Sequence, residues 1–369
     1  MGRALKDRVQ AEAKRLLEAG VAGQVFPGGA ACMAWPEGGQ TVFAAAAAGR
    51  LFQGGPRVRE DTPYDLASLT KSFVAMSALR MAAEGKLDLQ ARAESLLPDV
   101  RGAPGGAATL EQLFTHRAGL APWGGLYLDV PHEVGSPAAR RWIVTEAARR
   151  SERVEEGKAL YSDLGYLVAG EVLSRVAAEP LDRVVTTFVT APLGIDSEIV
   201  YAGALSSERR AELARKAAPT ERCDWRGRVI RGEVHDENCA ALGGVAGHAG
   251  LFGRAHGVAI LGLAMLDSLS GVGDFLPAQL VRHALETRPG GTQLFGWDRK
   301  SGEPSAAGRR LGDKTFGHLG FTGTSIWCDP DRNLVVVLLT NRVHPSRANE
   351  KIKGFRPAFH DGVVAAQGS

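Results

Sequence analysis

A serine and a lysine stand three residues apart within residues 65–71. On a helix this spacing places the Ser68 hydroxyl beside the Lys71 ammonium. A serine hydroxyl becomes a strong nucleophile when a neighbouring group takes its proton, and lysine can take it when burial or a nearby cation lowers its pKa. A helix start adds unpaired backbone N–H groups that stabilise an oxyanion. The pair therefore indicates acyl-transfer chemistry, although a helix-start serine beside a solvated lysine has the same spacing.

The surrounding sequence predicts the helix that would hold this pair. An extended segment ends near residue 63, and Leu69, Phe73 and Met76 then recur at the spacing of one helix face. This pattern continues to about Gly85, where the helix should stop. We expect a buried helix with Ser68 and Lys71 in its first turns.

Strand patterns occur at both ends of the chain. Two apolar stretches, 25–35 and 41–49, are separated by a turn-rich segment and predict a hairpin. The alanines at 44–48 favour helix by propensity alone, but between turn signals they fit a strand on which helices pack closely. Three shorter strand-like runs follow late in the chain, at residues 317–322, 325–328 and 334–340.

The elements between these strands are mostly helical. We expect an α/β fold of the α+β type, with an antiparallel sheet built from both termini and flanked by helices. Residues 1–84 and 305–369 would form the sheet domain, and residues 85–304 an inserted, mostly helical region. The active site would lie between them. An amphipathic helix over residues 3–18 and a helix after residue 347 complete the expected layers.

Composition narrows the choice of partners. The chain is 44% hydrophobic and 23% charged, as is typical of a globular enzyme. Its net charge is +3, and its basic residues are scattered along the sequence and do not form a block. This argues against nucleic acid as a partner. No apolar run is long enough to span a bilayer, and no signal peptide is visible, so we expect a cytoplasmic protein with no membrane partner. The four cysteines lack pair or metal spacing and predict free thiols.

Three further blocks follow the Ser-x-x-Lys pair in order. They are Thr-His-Arg-Ala-Gly-Leu at 115–120, Tyr-Ser-Asp-Leu-Gly-Tyr at 161–166 and His-Leu-Gly-Phe-Thr-Gly at 318–323. Together they resemble the serine β-lactamase-related family, which includes class C β-lactamases, D-Ala-D-Ala carboxypeptidases and related esterases. The resemblance covers about residues 20–345 and implies a β-lactamase/transpeptidase-like fold.

The resemblance also implies residue roles. Ser68 corresponds to the acylated nucleophile, Lys71 to its base or polarising group, and Tyr161 to the residue that passes a proton to the leaving group and then activates water. The resemblance leaves open whether Lys71 or Tyr161 deprotonates the serine. The backbone N–H groups of Ser68 and Phe321 would form the oxyanion hole. The remaining residues expected to contact substrate are Asp163, His318, Gly320 and Trp123, the last of which fits a packing anchor equally well.

Three positions depart from the family pattern. Asp163 replaces an asparagine, so it cannot donate an amide hydrogen bond but can pair with Lys71 and raise its pKa. His318 replaces the lysine of β-lactamases, and Leu319 replaces a threonine whose hydroxyl helps to hold a substrate carboxylate. Losing that donor weakens selection for a carboxylate, so we expect poor β-lactamase activity. The residues available as replacement donors are Thr322, Thr324 and Arg342.

The sequence thus predicts a serine hydrolase that forms an acyl-enzyme on small esters or amides, including D-amino-acid peptides, without a cofactor. A β-lactamase is the alternative enzyme, and a binding or scaffolding protein without turnover is the alternative from another class. Residues 233–238 and 243–252 resemble a branch of penicillin-binding-protein-like hydrolases. The spacing of His235, Asp236, Cys239 and His248 matches no zinc pattern, so we expect a glycine-packed loop there and no metal.

Overall fold

A computed structural model describes residues 2–153, 155 and 157–368 of the chain. The strands within these ranges are β1 (Gly28–Glu37), β2 (Gln40–Gly49), β3 (Tyr64–Asp65), β4 (Ile199–Tyr201), β5 (Arg222–Cys223), β6 (Arg228–Val229), β7 (Leu251–Gly253), β8 (Asp298–Arg299), β9 (Phe316–Leu319), β10 (Ser325–Asp329) and β11 (Leu334–Thr340). The main sheet has the order β2-β1-β11-β10-β9-β8, and its pairings are antiparallel. A sheet built from both ends of the chain is therefore confirmed.

The same ranges contain fourteen α-helices. They are α1 (Gly2–Ala22), α2 (Thr70–Ala83), α3 (Ala93–Leu96), α4 (Pro104–Ala107), α5 (Leu110–Phe114), α6 (Leu126–Asp129), α7 (Pro137–Arg149), α8 (Asp163–Ala177), α9 (Leu181–Val185), α10 (Ser207–Lys216), α11 (Glu237–Ala241), α12 (Ala255–Ser270), α13 (Ala278–Ala284) and α14 (Ile352–Gly368). A 3₁₀ turn over Ala67–Leu69 leads into α2. None of the described helices combines the length and apolar character that a membrane crossing requires.

The two terminal helices cover one face of the sheet. Leu17 of α1 and Phe359 of α14 share a buried cluster with Ala46 of β2 and Val336 of β11. Because alanine side chains are small, helix α1 can lie close to the strand that carries them. The prediction that the alanine run forms a strand is confirmed by its full pairing with β1.

Helix α12 covers the opposite face. A Cβ atom added to Gly262 of α12 would lie 2.7 Å from a methyl carbon of Val335, so glycine permits the close approach of this helix to the sheet. Helix α12 and strand β8 both come from within residues 85–304 and yet pack against or join the main sheet. The division into 1–84 with 305–369 and 85–304 stays a prediction.

The strand expected over residues 317–322 is shorter in the structure. Strand β9 ends at Leu319, and a tight turn follows, in which the Gly320 N–H donates to the Thr324 carbonyl at 2.8 Å. The Gly323 N–H donates back to the Gly320 carbonyl at 3.1 Å. The turn places Phe321 at the surface, where its side chain is 48% exposed.

Candidate active site

Ser68 lies in the 3₁₀ turn that joins β3 to α2. The preceding residue, Ala67, has a φ of +47°, a left-handed conformation that is unfavourable for a residue with a Cβ. Its N–H donates to the Asp65 carboxylate at 2.8 Å, and the other oxygen of Asp65 accepts the His235 N–H at 2.6 Å. The buried Asp65 side chain therefore holds the strained turn, and the turn places Ser68 at a cavity wall.

Lys71 is completely buried one helical turn after Ser68, and oxygen atoms of four other residues lie near its Nζ atom. Nζ donates to Ser68 Oγ at 2.9 Å and to the His248 carbonyl at 3.3 Å, and it lies 2.6 Å from Asp163 Oδ1. Burial alone lowers the pKa of Lys71, but the charge of Asp163 and the neighbouring Tyr161 outweigh it, so the net shift is upward. Two hydrogen bonds and the nearby Asp163 carboxylate stabilise the ammonium form. Lys71 is therefore charged in the resting protein.

Tyr161 completes the group around the serine. Its hydroxyl interacts with both Lys71 and Ser68, and the Lys71 ammonium lies 4.9 Å from the centre of its ring. Burial raises the pKa of Tyr161 more than the Lys71 charge lowers it, so the phenol keeps its proton at neutral pH. The structure thus brings together Ser68, Lys71, Tyr161 and Asp163, which the sequence places up to 95 positions apart.

His116 belongs to the same site, although no role was predicted for it from the sequence. Its imidazole stacks on the Tyr161 ring with centroids 4.5 Å apart, and its Nδ1 accepts the Ser162 N–H at 2.9 Å. Since burial lowers the pKa of His116, the ring is neutral and carries its hydrogen on Nε2. The backbone of His116 is left-handed, with a φ of +58°. The Thr-His-x-x-Gly-Leu block was the signal that could have identified it.

The end of β9 forms another wall of the cavity. His318 is 5% exposed, and its Nδ1 lies 2.9 Å from the Leu319 carbonyl oxygen, so Nδ1 carries the hydrogen. Burial, together with the Lys71 charge, lowers the pKa of His318 to about 3. A neutral histidine therefore stands where β-lactamases have a lysine. A Cβ atom at Gly320 would lie 2.7 Å from the Leu66 carbonyl oxygen, so glycine lets this strand approach the Ser68 segment.

Two of the three residues suggested as replacement donors are already engaged. Thr322 is buried and donates to the Asp65 carbonyl at 2.8 Å, and Thr324 donates to the Leu66 carbonyl at 3.1 Å. These hydroxyls join the β9 turn to the Ser68 segment, so the suggestion that they contact substrate is wrong. Arg342 lines the cavity, but its Nε donates to the Phe321 carbonyl at 2.9 Å.

The cavity has a volume of about 760 Å³ and is bordered by each residue predicted to contact substrate. Ser68, Tyr161, Asp163, His318, Gly320, Phe321 and Trp123 all contribute to its lining. Trp123 is 46% exposed, so it lies at the cavity mouth. The Ser68 and Phe321 residues share this cavity, as an oxyanion hole formed by their N–H groups requires.

The segment before β7 lines another part of the cavity through Asp236, Glu237, His248 and Ala249. Asp236 accepts from the Cys239 N–H at 2.7 Å and lies 2.8 Å from the His248 ring, while Asn238 donates to the Gly124 carbonyl at 2.7 Å. The Asp236 contacts brace the segment internally, and the Asn238 bond ties it to the Trp123 loop. Among the described residues, no group of three or more histidine, cysteine or acidic side chains is arranged to hold a metal ion.

Curated proteins similar to this chain include two from Salmonella, both named putative D-alanyl-D-alanine carboxypeptidase. The protein from Salmonella enteritidis is 30% identical over 342 residues, which cover 84% of this chain and 78% of that protein. The protein from Salmonella agona is 31% identical over 339 residues, which cover 83% and 77%.

Solved structures show the same architecture. EstCE1, a hydrolase with promiscuous acyltransferase activity, has a TM-score of 0.71 at 22% identity, covering 95% of this chain and 99% of that one. A class C beta lactamase from Rhodobacter sphaeroides has a TM-score of 0.68 at 20% identity, with the same coverage. The predicted β-lactamase-like fold is thus confirmed. The sequence model of the Beta-lactamase family matches residues 13–355, and the chain belongs to this family of serine hydrolases.

Proposed function

We propose that this protein is a serine hydrolase that forms an acyl-enzyme on Ser68. The observation that carries the proposal is the 2.9 Å contact between Lys71 Nζ and Ser68 Oγ at the wall of a cavity of about 760 Å³. Tyr161 interacts with both groups. A nucleophile with its proton-transfer partners at an accessible cavity is the arrangement that covalent catalysis needs.

The reaction follows from this arrangement. Ser68 Oγ attacks the substrate carbonyl, and the backbone N–H groups of Ser68 and Phe321 stabilise the oxyanion. Tyr161 then delivers a proton to the leaving group as the tetrahedral intermediate collapses. In the second half-reaction the same phenol orients a water molecule that hydrolyses the acyl-enzyme.

The proposed substrates are small esters or amides, including peptides that end in a D-amino acid. The names of the Salmonella relatives support the peptide class, and the description of EstCE1 as a hydrolase with acyltransferase activity supports the wider acyl-transfer class. The neutral His318 and the apolar Leu319 disfavour efficient β-lactamase activity. We therefore expect slower turnover of nitrocefin than of a chromogenic ester.

Labelling with a fluorophosphonate, followed by mass mapping of the labelled peptide, tests the proposal. We expect one label per chain, on Ser68, and a burst of one product equivalent from a chromogenic ester. Both should be lost in Ser68→Ala, whose melting temperature should match that of the parent. Absence of a covalent adduct with both a fluorophosphonate and a penicillin would contradict the proposal and favour a non-catalytic binding protein.

A further inference from the structure

The resting state of the site poses a problem of proton balance. Lys71 is an ammonium stabilised by two hydrogen bonds and by the Asp163 carboxylate 2.6 Å away, and an ammonium cannot accept the Ser68 proton. The Tyr161 phenol also keeps its own proton, because burial raises its pKa. Acylation therefore needs a proton acceptor other than these two groups in their resting forms.

The two neutral histidines near Lys71 are poor candidates. His116 uses its Nδ1 lone pair to accept the Ser162 N–H, and its Nε2 carries the hydrogen. His318 has a free lone pair on Nε2, but its pKa of about 3 makes it a much weaker base than the reaction requires. His248 approaches Lys71 through its carbonyl oxygen, while its ring bonds Asp236.

Asp163 is the remaining group in contact with Lys71. Its Oδ1 lies 2.6 Å from Nζ, and its position at the start of α8 is fixed by a hydrogen bond from its N–H to the Pro122 carbonyl at 2.8 Å. The Ser162 hydroxyl caps the same helix by accepting the Gly165 N–H at 3.1 Å. The carboxylate is thus anchored through its backbone beside the Lys71 ammonium.

We infer that Asp163 is the terminal proton acceptor for acylation and that Lys71 relays the proton to it. Nζ first passes one proton to Asp163 Oδ1, and the neutral amine then turns its lone pair toward Ser68 and accepts the Oγ proton as the bond between Oγ and the carbonyl carbon forms. Lys71 is an ammonium before and after the step, Asp163 becomes a neutral carboxylic acid, and the negative charge moves to the substrate oxygen. Asp163 returns the proton through Lys71 and Tyr161 to the leaving group when the intermediate collapses.

This relay also provides electrostatic stabilisation of the tetrahedral intermediate. In the resting site the ammonium and the carboxylate neutralise one another at 2.6 Å. Once Asp163 has taken the proton, a carboxylate no longer balances the Lys71 charge as the oxyanion forms. Charge that becomes available only as the oxyanion forms stabilises the intermediate more than the ground state, which is the requirement for rate acceleration.

Asp163→Asn tests the relay, which rests on the proposed acyl-enzyme function. Asparagine preserves the size of the side chain but cannot take a proton, so we expect the rate of the ester burst to fall at least about 100-fold, the usual contribution of general base catalysis. Raising the pH should not restore the rate. If lysine alone were the base, removing the carboxylate would lower the pKa of Lys71 and leave the neutral-pH rate equal or higher, and that result would overturn the relay.

Asp163→Glu is the matched variant, because it keeps a carboxylate on a longer side chain. We expect it to retain a faster ester burst than Asp163→Asn. The groups facing this pair, His116, Tyr161, Tyr166, His248 and His318, are the same in both variants. Equal burst rates in the two folded variants would contradict a role for the carboxylate as acceptor.

The failure of the relay can be distinguished from failure of the proposed function. Fluorophosphonate labelling of the parent protein reports only whether Ser68 acts as a nucleophile. A labelled parent with an equally fast Asp163→Asn burst overturns the relay alone. An unlabelled parent overturns both proposals, since the relay requires acylation of Ser68. Melting temperatures of both variants within a few degrees of the parent show that differences in burst rate arise from the acylation step and not from unfolding.

Discussion

The two walls of the cavity differ in how their polar groups are used. At the nucleophile corner, formed by Ser68, Lys71, Tyr161 and Asp163, the polar atoms face one another across the site of reaction. At the β9 edge, formed by residues 318–321 and the turn to Thr324, the threonine hydroxyls face inward and hold the edge to the Ser68 segment. The first region is arranged for proton transfer and the second for holding the cavity wall in place.

This difference matches the three positions at which the chain departs from the family's sequence pattern. The nucleophile corner gains a charge where Asp163 replaces asparagine, whereas the β9 edge loses one where His318 replaces lysine and a hydroxyl where Leu319 replaces threonine. We therefore expect substitutions at the nucleophile corner to change the rate of acylation, and substitutions at the β9 edge to change substrate preference or stability.

Apart from Ser68→Ala and Asp163→Asn, Tyr161→Phe should produce the largest effect. It removes the hydroxyl that interacts with Ser68 and Lys71 but leaves the ring stacked on His116. We expect kcat/KM for a chromogenic ester to fall about 100-fold or more, as for the loss of a general acid–base group. Thermal unfolding should change little because the ring contacts remain. A variant with unchanged kcat/KM would remove Tyr161 from the mechanism.

Leu319→Thr should change substrate preference at the β9 edge. If the family threonine contacts a substrate carboxylate, its hydroxyl adds a hydrogen bond to a charged group, typically about 1.5–3 kcal/mol. We expect kcat/KM for an N-acyl-D-Ala-D-Ala peptide to rise about tenfold or more, with no change for the same peptide carrying a C-terminal amide.

Leu319→Val is the control for that comparison, since valine has the shape of threonine without the hydroxyl. Kinetics with the acid and amide peptides should show the gain in Leu319→Thr only. Equal gains in both variants would mean that reduced side-chain volume, and not the hydroxyl, sets the preference, and would remove the proposed distinction between the two walls.

Much of this arrangement was predictable from local sequence patterns. The hairpin, the paired alanine strand and the Ser68 helix follow from periodicity and turn residues, and the motif order predicted which distant segments meet. The turn after Leu319 was missed because its cause is non-local: Thr322 and Thr324 bond carbonyls more than 250 positions away. The same is true of His116, whose role depends on stacking with Tyr161 and on a left-handed backbone.

His318→Gln should alter the pH dependence of stability. The folded-state pKa of His318, about 3, lies below its ordinary value of 6.5. Between pH 3 and pH 6.5, His318 is therefore protonated in the unfolded chain and neutral in the folded protein. His318 therefore lowers stability as pH falls from 6.5 toward 3, by up to about 1.4 kcal/mol per pH unit. Urea unfolding at pH 7, 6, 5 and 4 should show a shallower loss of stability in the variant. Parallel curves would contradict a buried neutral His318.

Thr324→Val should have the smallest effect, confined to stability. The Thr324 hydroxyl is fully buried and donates to the Leu66 carbonyl, which also accepts the Leu69 N–H at 3.1 Å. Since the carbonyl keeps one donor, the loss should be near the low end for a buried hydrogen bond, about 1 kcal/mol in the free energy of unfolding.

Thr315→Val provides the matched control for this last comparison. Thr315 is equally buried, but its hydroxyl has no hydrogen-bond partner among the described residues. Replacing an unpartnered buried hydroxyl with a methyl group should leave stability unchanged or raise it. Denaturant unfolding of the two variants therefore separates the bond to Leu66 from the general effect of replacing threonine in the core. Equal destabilisation in both would show that the Thr324 hydroxyl does not hold the β9 edge to the nucleophile segment.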